Sequence, residues 1–213
     1  MRLYLIIVIL VFGTACQLAA DTGSPGPDRA FSNTDGTFFF FLQPAIFDPD
    51  SFLMEHMKRE YGMNVIKKRD QCVGTLLKAD KERNTYTTVW NAALAENATP
   101  DTVMISPDGA HVITLSNSPD AATVVLYDNH GEVVVNYPLS AFLTQAEIEA
   151  APQSISSVNW QGTHSIDRKR NVLLLQVRRI GPDHSNMDSL KPDFRTVTID
   201  LKTGKIIDDG RKS

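Results

Sequence analysis

DTVMISPDGAHVITLSNSPDAATVVLYDNHGEVVVNY, residues Asp101 to Tyr137, decides the fold. Val103 and Ile105 lead into Ser106-Pro107-Asp108-Gly109, and Val112, Ile113 and Leu115 follow it. Pro107 presets the φ that a type I turn needs, and Gly109 lets the chain go left-handed into the next strand. Turn residues between two β-branched runs predict a hairpin. Asp128-Asn129-His130-Gly131 repeats the device between Val124-Val125-Leu126-Tyr127 and Val133-Val134-Val135. The stretch therefore reads as four short strands. A third copy, Asp200-Leu201-Lys202-Thr203-Gly204, lies between Thr196-Val197-Thr198-Ile199 and Ile206-Ile207. Three such turns predict antiparallel meander sheets.

Upstream, Cys72 to Lys78 and Thr85 to Trp90 predict another hairpin, with Asp80-Lys81-Glu82-Arg83-Asn84 as its charged loop and Trp90 as a core anchor. Thr37-Phe38-Phe39-Phe40-Phe41-Leu42 has strand length and composition, and its aromatic content predicts burial on both faces. Asp48-Pro49 suits a helix start: Asp48 caps free amides and Pro49 takes the first helical position. That helix runs to Gly62, with Met54, Met57 and Tyr61 on its apolar face and His56 on its polar side.

Downstream, Leu139 to Ala151 predicts a short helix, with Thr144 and Glu147 as a capping box and Ile148 toward the core. It carries the chain to further strands at Ser154 to Trp160, Asn171 to Val177, Thr196 to Leu201 and Lys205 to Asp208. Arg168-Lys169-Arg170 reads as a charged turn that guards against edge pairing, and Gly181 to Asp193 as a long polar loop. The fold class expected is mainly β: antiparallel meander sheets, open propeller-like or a β-sandwich, with one or two short helices.

A chain of 213 residues with 22% charged side chains is long enough for a real core and too apolar for general disorder. Its net charge of −4 gives no electrostatic reason to expect nucleic acid. At the N-terminus, Arg2 precedes an apolar run from Leu3 to Phe12, too short to span a bilayer but suited to a secretion signal. Gln17 to Gly36 is rich in Gly, Pro, Ser, Asp and Asn, the composition of a flexible tether. The organisation expected is a signal over 1–15, a tether over 16–36 and a single β-rich domain over 37–213. Cys72 is the second of two cysteines and reads as a buried small hydrophobe.

Gly13-Thr14-Ala15-Cys16 resembles the bacterial lipoprotein signal, in which small residues precede a cysteine that is lipidated and becomes the mature N-terminus. That resemblance implies lipid on Cys16 and attachment to a membrane of the cell envelope. Ordinary cleavage after Ala20, leaving a periplasmic or secreted chain, is the alternative. The hairpins at Ser106 to Gly109, Tyr127 to Gly131 and Asp200 to Gly204 resemble those in blades of β-propeller proteins. Together with Cys72 to Leu76 and Ser154 to Trp160, they also resemble uncharacterised bacterial secreted proteins, which implies no known activity. A closed propeller has four or more four-stranded blades, and the roughly eleven strands read here fall short of that.

No phosphate loop, nucleophile elbow, dinucleotide fingerprint or calcium loop occurs in the sequence. None of His56, His111, His130, His164 and His184 has the spacing of a local metal pair, so neither metal nor cofactor is expected. Three functions remain. The first is a non-enzymatic envelope lipoprotein that binds or scaffolds a partner. The second is a small-ligand or glycan-binding module with Trp160 or Trp90 as a stacking platform. The third is a hydrolase whose site assembles from loops bearing His111, His164, His184 and Asp183.

Overall fold

The computed structural model describes residues 28–45, 70–95, 99–118, 122–151, 157–179 and 193–211. Twelve strands among them form three four-stranded antiparallel sheets, each a meander in chain order. The first sheet holds β1 (Arg29–Ser32), β2 (Phe38–Gln43), β3 (Val73–Asp80) and β4 (Thr85–Ala93). The second holds β5 (Thr102–Ile105), β6 (Val112–Leu115), β7 (Val124–Tyr127) and β8 (Val133–Tyr137). The third holds β9 (Ser165–Asp167), β10 (Val172–Arg178), β11 (Phe194–Asp200) and β12 (Ile206–Asp208). A 3-10 turn at Leu139–Ala141 and a helix α1 (Gln145–Ala150) lead from the second sheet toward the third.

The second sheet is sandwiched between the other two, and side-chain alternation shows how. Val112, Val125 and Tyr127 join Phe38, Phe40, Leu42, Leu76 and Trp90 of the first sheet in one core. Ile113, Leu115, Val124 and Leu126 point the other way, into a second core with Leu173, Leu175, Val177, Val197 and Ile199. Every residue of β6 and β7 is buried. That is why these strands read as unbroken apolar runs: with both faces covered, no position is left for polar alternation. Each fully buried aliphatic side chain here contributes about 1.5–3 kcal/mol.

Each sheet closes its first and second strands, and its third and fourth, with a tight turn built on one plan. The residue opening the turn turns its side-chain oxygen back onto backbone N–H groups, as Asp128 does to His130 and Glu132 and Asp167 to Lys169 and Arg170. Asn33, Asp80, Ser106 and Asp200 do the same. Later in each turn one residue takes positive φ: Gly36, Asn84, Gly109, Gly131, Asn171 and Gly204. At Gly109 there is a second reason for glycine, because a Cβ would collide with the Phe38 ring.

The structure bears out the mainly β class, the open meander sheets and the short helix, whose Thr144–Glu147 capping box is formed in both directions. It also departs from the sequence reading in four places. β1 lies inside the stretch expected as tether, so among the described residues the sheet begins at Arg29. The described part of Ser154 to Trp160 is not a strand; the first strand of the third sheet is β9, preceded by an isolated bridge from Gln161 to Val177. Phe38, Phe40 and Leu42 are buried, but Phe39 and Phe41 are not, so only one face of that strand is covered by described residues. β4 continues past Trp90 to Ala93. The helix expected from Asp48 to Gly62 lies outside the described residues.

Candidate functional site

Meander topology sorts the connections by length. The turns 33–37, 81–84, 106–111, 128–132, 168–171 and 201–205 gather at one end of the sheets. From the strand ends at the opposite end the chain leaves into 44–72, 116–123 and 179–193 within sheets and 94–101 and 138–164 between them, each longer than any of the turns. Contacts between sheets respect the division. Asn33 donates to the carbonyl of Pro107 at the turn end, and Gln161 donates to Asn117 at the other.

At the long-connection end a polar chain links the second and third sheets. His164, just before β9, bonds through Nε2 to Oε1 of Gln161 at 2.9 Å. Gln161 donates from Nε2 to Oδ1 of Asn117 at 2.8 Å, and the Asn117 backbone N–H donates to Asp101 at 2.6 Å. The Nδ1 of His164 accepts the Gln176 N–H, so the proton of the neutral ring sits on Nε2 and is donated to Gln161. Burial pushes the His164 pKa down to about 4. From the first sheet, Arg29 donates to the carbonyls of Pro100 and Asp101, bringing the head of β1 to the head of β5. Arg29, Asp101, Asn117, Gln161 and His164 thus form a hydrogen-bonded polar set spanning the three sheets.

His111 sits at the other end, in the first turn of the second sheet. Burial pushes its pKa down, opposed by the nearby charges of Asp108, Asp128 and Asp200. Asp108 lies below the usual carboxylate range mainly because the Ser106 hydroxyl donates to it at 2.7 Å. Because His111 and His164 occupy opposite ends, they do not share a site. His184 and Asp183 lie outside the described residues, as does Cys16.

Neither tryptophan offers an open ring. Trp160 is completely buried, stacked on Phe142 at 5.8 Å and on His164 at 6.2 Å, with its indole N–H on the Ser116 carbonyl at 3.0 Å. Trp90 packs against Phe40 and Tyr127, with Gly131 pressed on its ring. Cys72 is buried beside the Thr99 hydroxyl. Among the described residues no cluster of His, Cys, Asp or Glu has a metal-holding arrangement.

No family model matches the chain, and no curated protein matches it. Among solved structures, it is similar to a periplasmic gluconolactonase of Pseudomonas aeruginosa, at 11% identity and a TM-score of 0.42 over 81% of this chain. It is also similar to a candidate 6-phosphogluconolactonase of Bacteroides fragilis, at 12% identity and a TM-score of 0.40 over 86% of this chain. The chain spans 38% and 37% of the lengths of those two structures.

Sequence reasoning singled out His164 but not its companions. Asn117, Gln161 and Asp101 are ordinary polar residues in sequence, and they become a set only through the stacking of sheets. The available signal was positional: each follows or precedes a strand at the end where the connections are long.

Proposed function

We propose that the chain is an exported binding or scaffolding domain of the bacterial envelope, held there by lipid on Cys16. It presents the long-connection end of its three sheets to a partner. The segregation of connections carries this reading: tight, self-bonded turns occupy one end, while the opposite end holds the polar set and the strand ends from which the long connections leave. Binding residues on proteins of this architecture are commonly carried by loops that a rigid scaffold positions. The state of His164 favours binding over catalysis. Both of its ring nitrogens are engaged within the protein, which leaves no lone pair free to take a proton from a substrate.

Photo-crosslinking from single positions in the full chain, in living bacteria, tests the reading. A photoreactive residue at exposed Thr163, beside His164, is expected to capture an envelope component, and one at exposed Asn129, in a tight turn, is not. Capture from Asn129 but not from Thr163 overturns the proposal. The mass of the chain recovered from membranes tests the anchor: an acylated N-terminal Cys16 supports it, and an unmodified chain beginning at Asp21 removes it.

A further inference from the structure

The fourth strands of the three sheets occupy equivalent outer positions, and each presents an edge. Two of these edges are protected. β8 is only five residues long and carries a bulge at Val134, and the Asp200–Gly204 turn packs against Val134 and Val135. The Tyr137 hydroxyl fastens the turn there by donating to the Gly204 carbonyl at 2.8 Å. β12 is only three residues long, includes Asp208 and begins beside Lys205. Short strands and charges are the usual defences against pairing with another chain.

β4 has neither defence. It runs for nine residues, TYTTVWNAA, without a charge or a proline. Thr85 to Val89 are all exposed, Tyr86 at 62%. Among the described residues nothing pairs with its outer side. Thr85 to Thr88 pair regularly with β3, and Val89 is the extra residue of a bulge between the Leu76–Trp90 and Leu77–Thr88 pairs. Thr85 to Thr88 thus form a regular, uncharged edge whose outward backbone groups have no strand partner among the described residues.

We propose that two copies of the chain pair through this edge, β4 against β4, antiparallel about a two-fold axis. A two-fold sets the same surface against itself, and such a surface must be self-complementary. The Thr85–Thr88 edge meets that condition, because antiparallel self-pairing brings no like charges opposite each other. The partner strand is an identical copy, with the same β-branched composition. Pairing would also join the two first sheets into one continuous sheet. The aromatic faces around Phe39 and Tyr86, in edge contact at 5.4 Å, would then lie side by side.

A cysteine scan from Thr85 to Val89 in the full-length chain, purified in detergent and oxidised with copper–phenanthroline, tests the pairing. Disulfide-linked dimers are expected at one or two of these positions and absent for Asn129→Cys. The mass of the unmodified chain, corrected for detergent, is expected to be that of two copies. Thr87→Lys, which sets like charges opposite each other, is expected to shift it to one copy. If Thr87→Lys fails to fold, the cross-linking pattern still reads the contact. The proposal is overturned by a one-copy mass at every concentration tested. It is equally overturned by cross-linking from Asn129 as efficient as from the strand, or by Thr85 to Val89 capturing a different protein instead of a second copy.

Discussion

The Nδ1 atom of His164 accepts the backbone N–H of Gln176 at 3.2 Å. A protonated ring has no lone pair there, so this bond holds the histidine neutral while burial keeps its pKa near 4. An unfolded histidine titrates near 6.5. Between those values the unfolded chain takes up a proton that the folded chain does not. The contribution of His164 to stability is therefore complete above pH 6.5, declines as pH falls toward 4, and reaches a loss on the order of 3 kcal/mol. Urea unfolding at a series of pH values is expected to show this slope in the parent and a shallower one in His164→Gln, where His111, also held below its ordinary value by burial, still contributes. Asp108 and Asp128 act in a lower window. Their pKa values are depressed, so their contribution is full above the unfolded value and is lost as pH falls through the folded one. Acid unfolding below about pH 4 should therefore persist in the variant.

The two tryptophans predict opposite balances between shape and polarity. Trp160 donates to the Ser116 carbonyl inside the core, whereas the Trp90 indole N–H is buried with no partner among the described residues. Trp160→Phe leaves a buried acceptor unsatisfied, at a cost of about 1–3 kcal/mol beyond the lost packing. Trp90→Phe removes a donor that had no bond to lose, so only the packing loss applies. Chemical denaturation should rank Trp160→Phe as the more destabilised of the two; equal losses, or the reverse order, would contradict the assigned hydrogen bond.

The helix start makes a smaller, local prediction. Thr144 accepts from the Glu147 N–H while the Glu147 carboxylate accepts from the Thr144 N–H at 2.7 Å. Thr144→Ala removes one arm of this box and should cost about 1 kcal/mol. Its effect on the thermal midpoint should not add to that of Glu147→Ala, because both substitutions break the same reciprocal pair.

Much of the fold was legible because its turns are written in local chemistry. Ser106 to Gly109, Asp128 to Gly131 and Asp200 to Gly204 each show the opening acceptor and the closing glycine, and all three are hairpins. Asn84 and Asn171 hid the same device, since asparagine also adopts the left-handed conformation but is common elsewhere. β1 was missed because four residues of mixed polarity beside a Gly- and Pro-rich stretch have the composition of a linker. Only pairing with the aromatic β2 makes them a strand. β9 is three half-exposed or exposed residues, too short for any period. The serine-rich stretch Ser154 to Trp160 read as a strand there instead, but its Val158 and Trp160 lie outside the sheets and fill the core beside Phe142. Of the polar set at the long-connection end only His164 was legible, because Asn117 and Gln161 are far apart in sequence and meet only when the second and third sheets stack.

The left-handed turn positions give the sharpest test of that shared plan. Gly109 has φ of +71° and no room for a Cβ above Phe38, so Gly109→Ala carries both backbone strain and a clash with a ring anchored in the core. The strain alone is about 1–2 kcal/mol, and the displaced ring adds to it. Asn171, at φ of 53°, is the same kind of position filled by a residue that tolerates it less well than glycine. Asn171→Gly therefore relieves strain in the folded chain while loosening the unfolded one, and the two effects nearly cancel. Thermal unfolding of the two variants should separate widely, with Gly109→Ala strongly destabilised and Asn171→Gly within about 0.5 kcal/mol of the parent. A large loss in Asn171→Gly would mean that its side chain, rather than its backbone conformation, is what the turn requires.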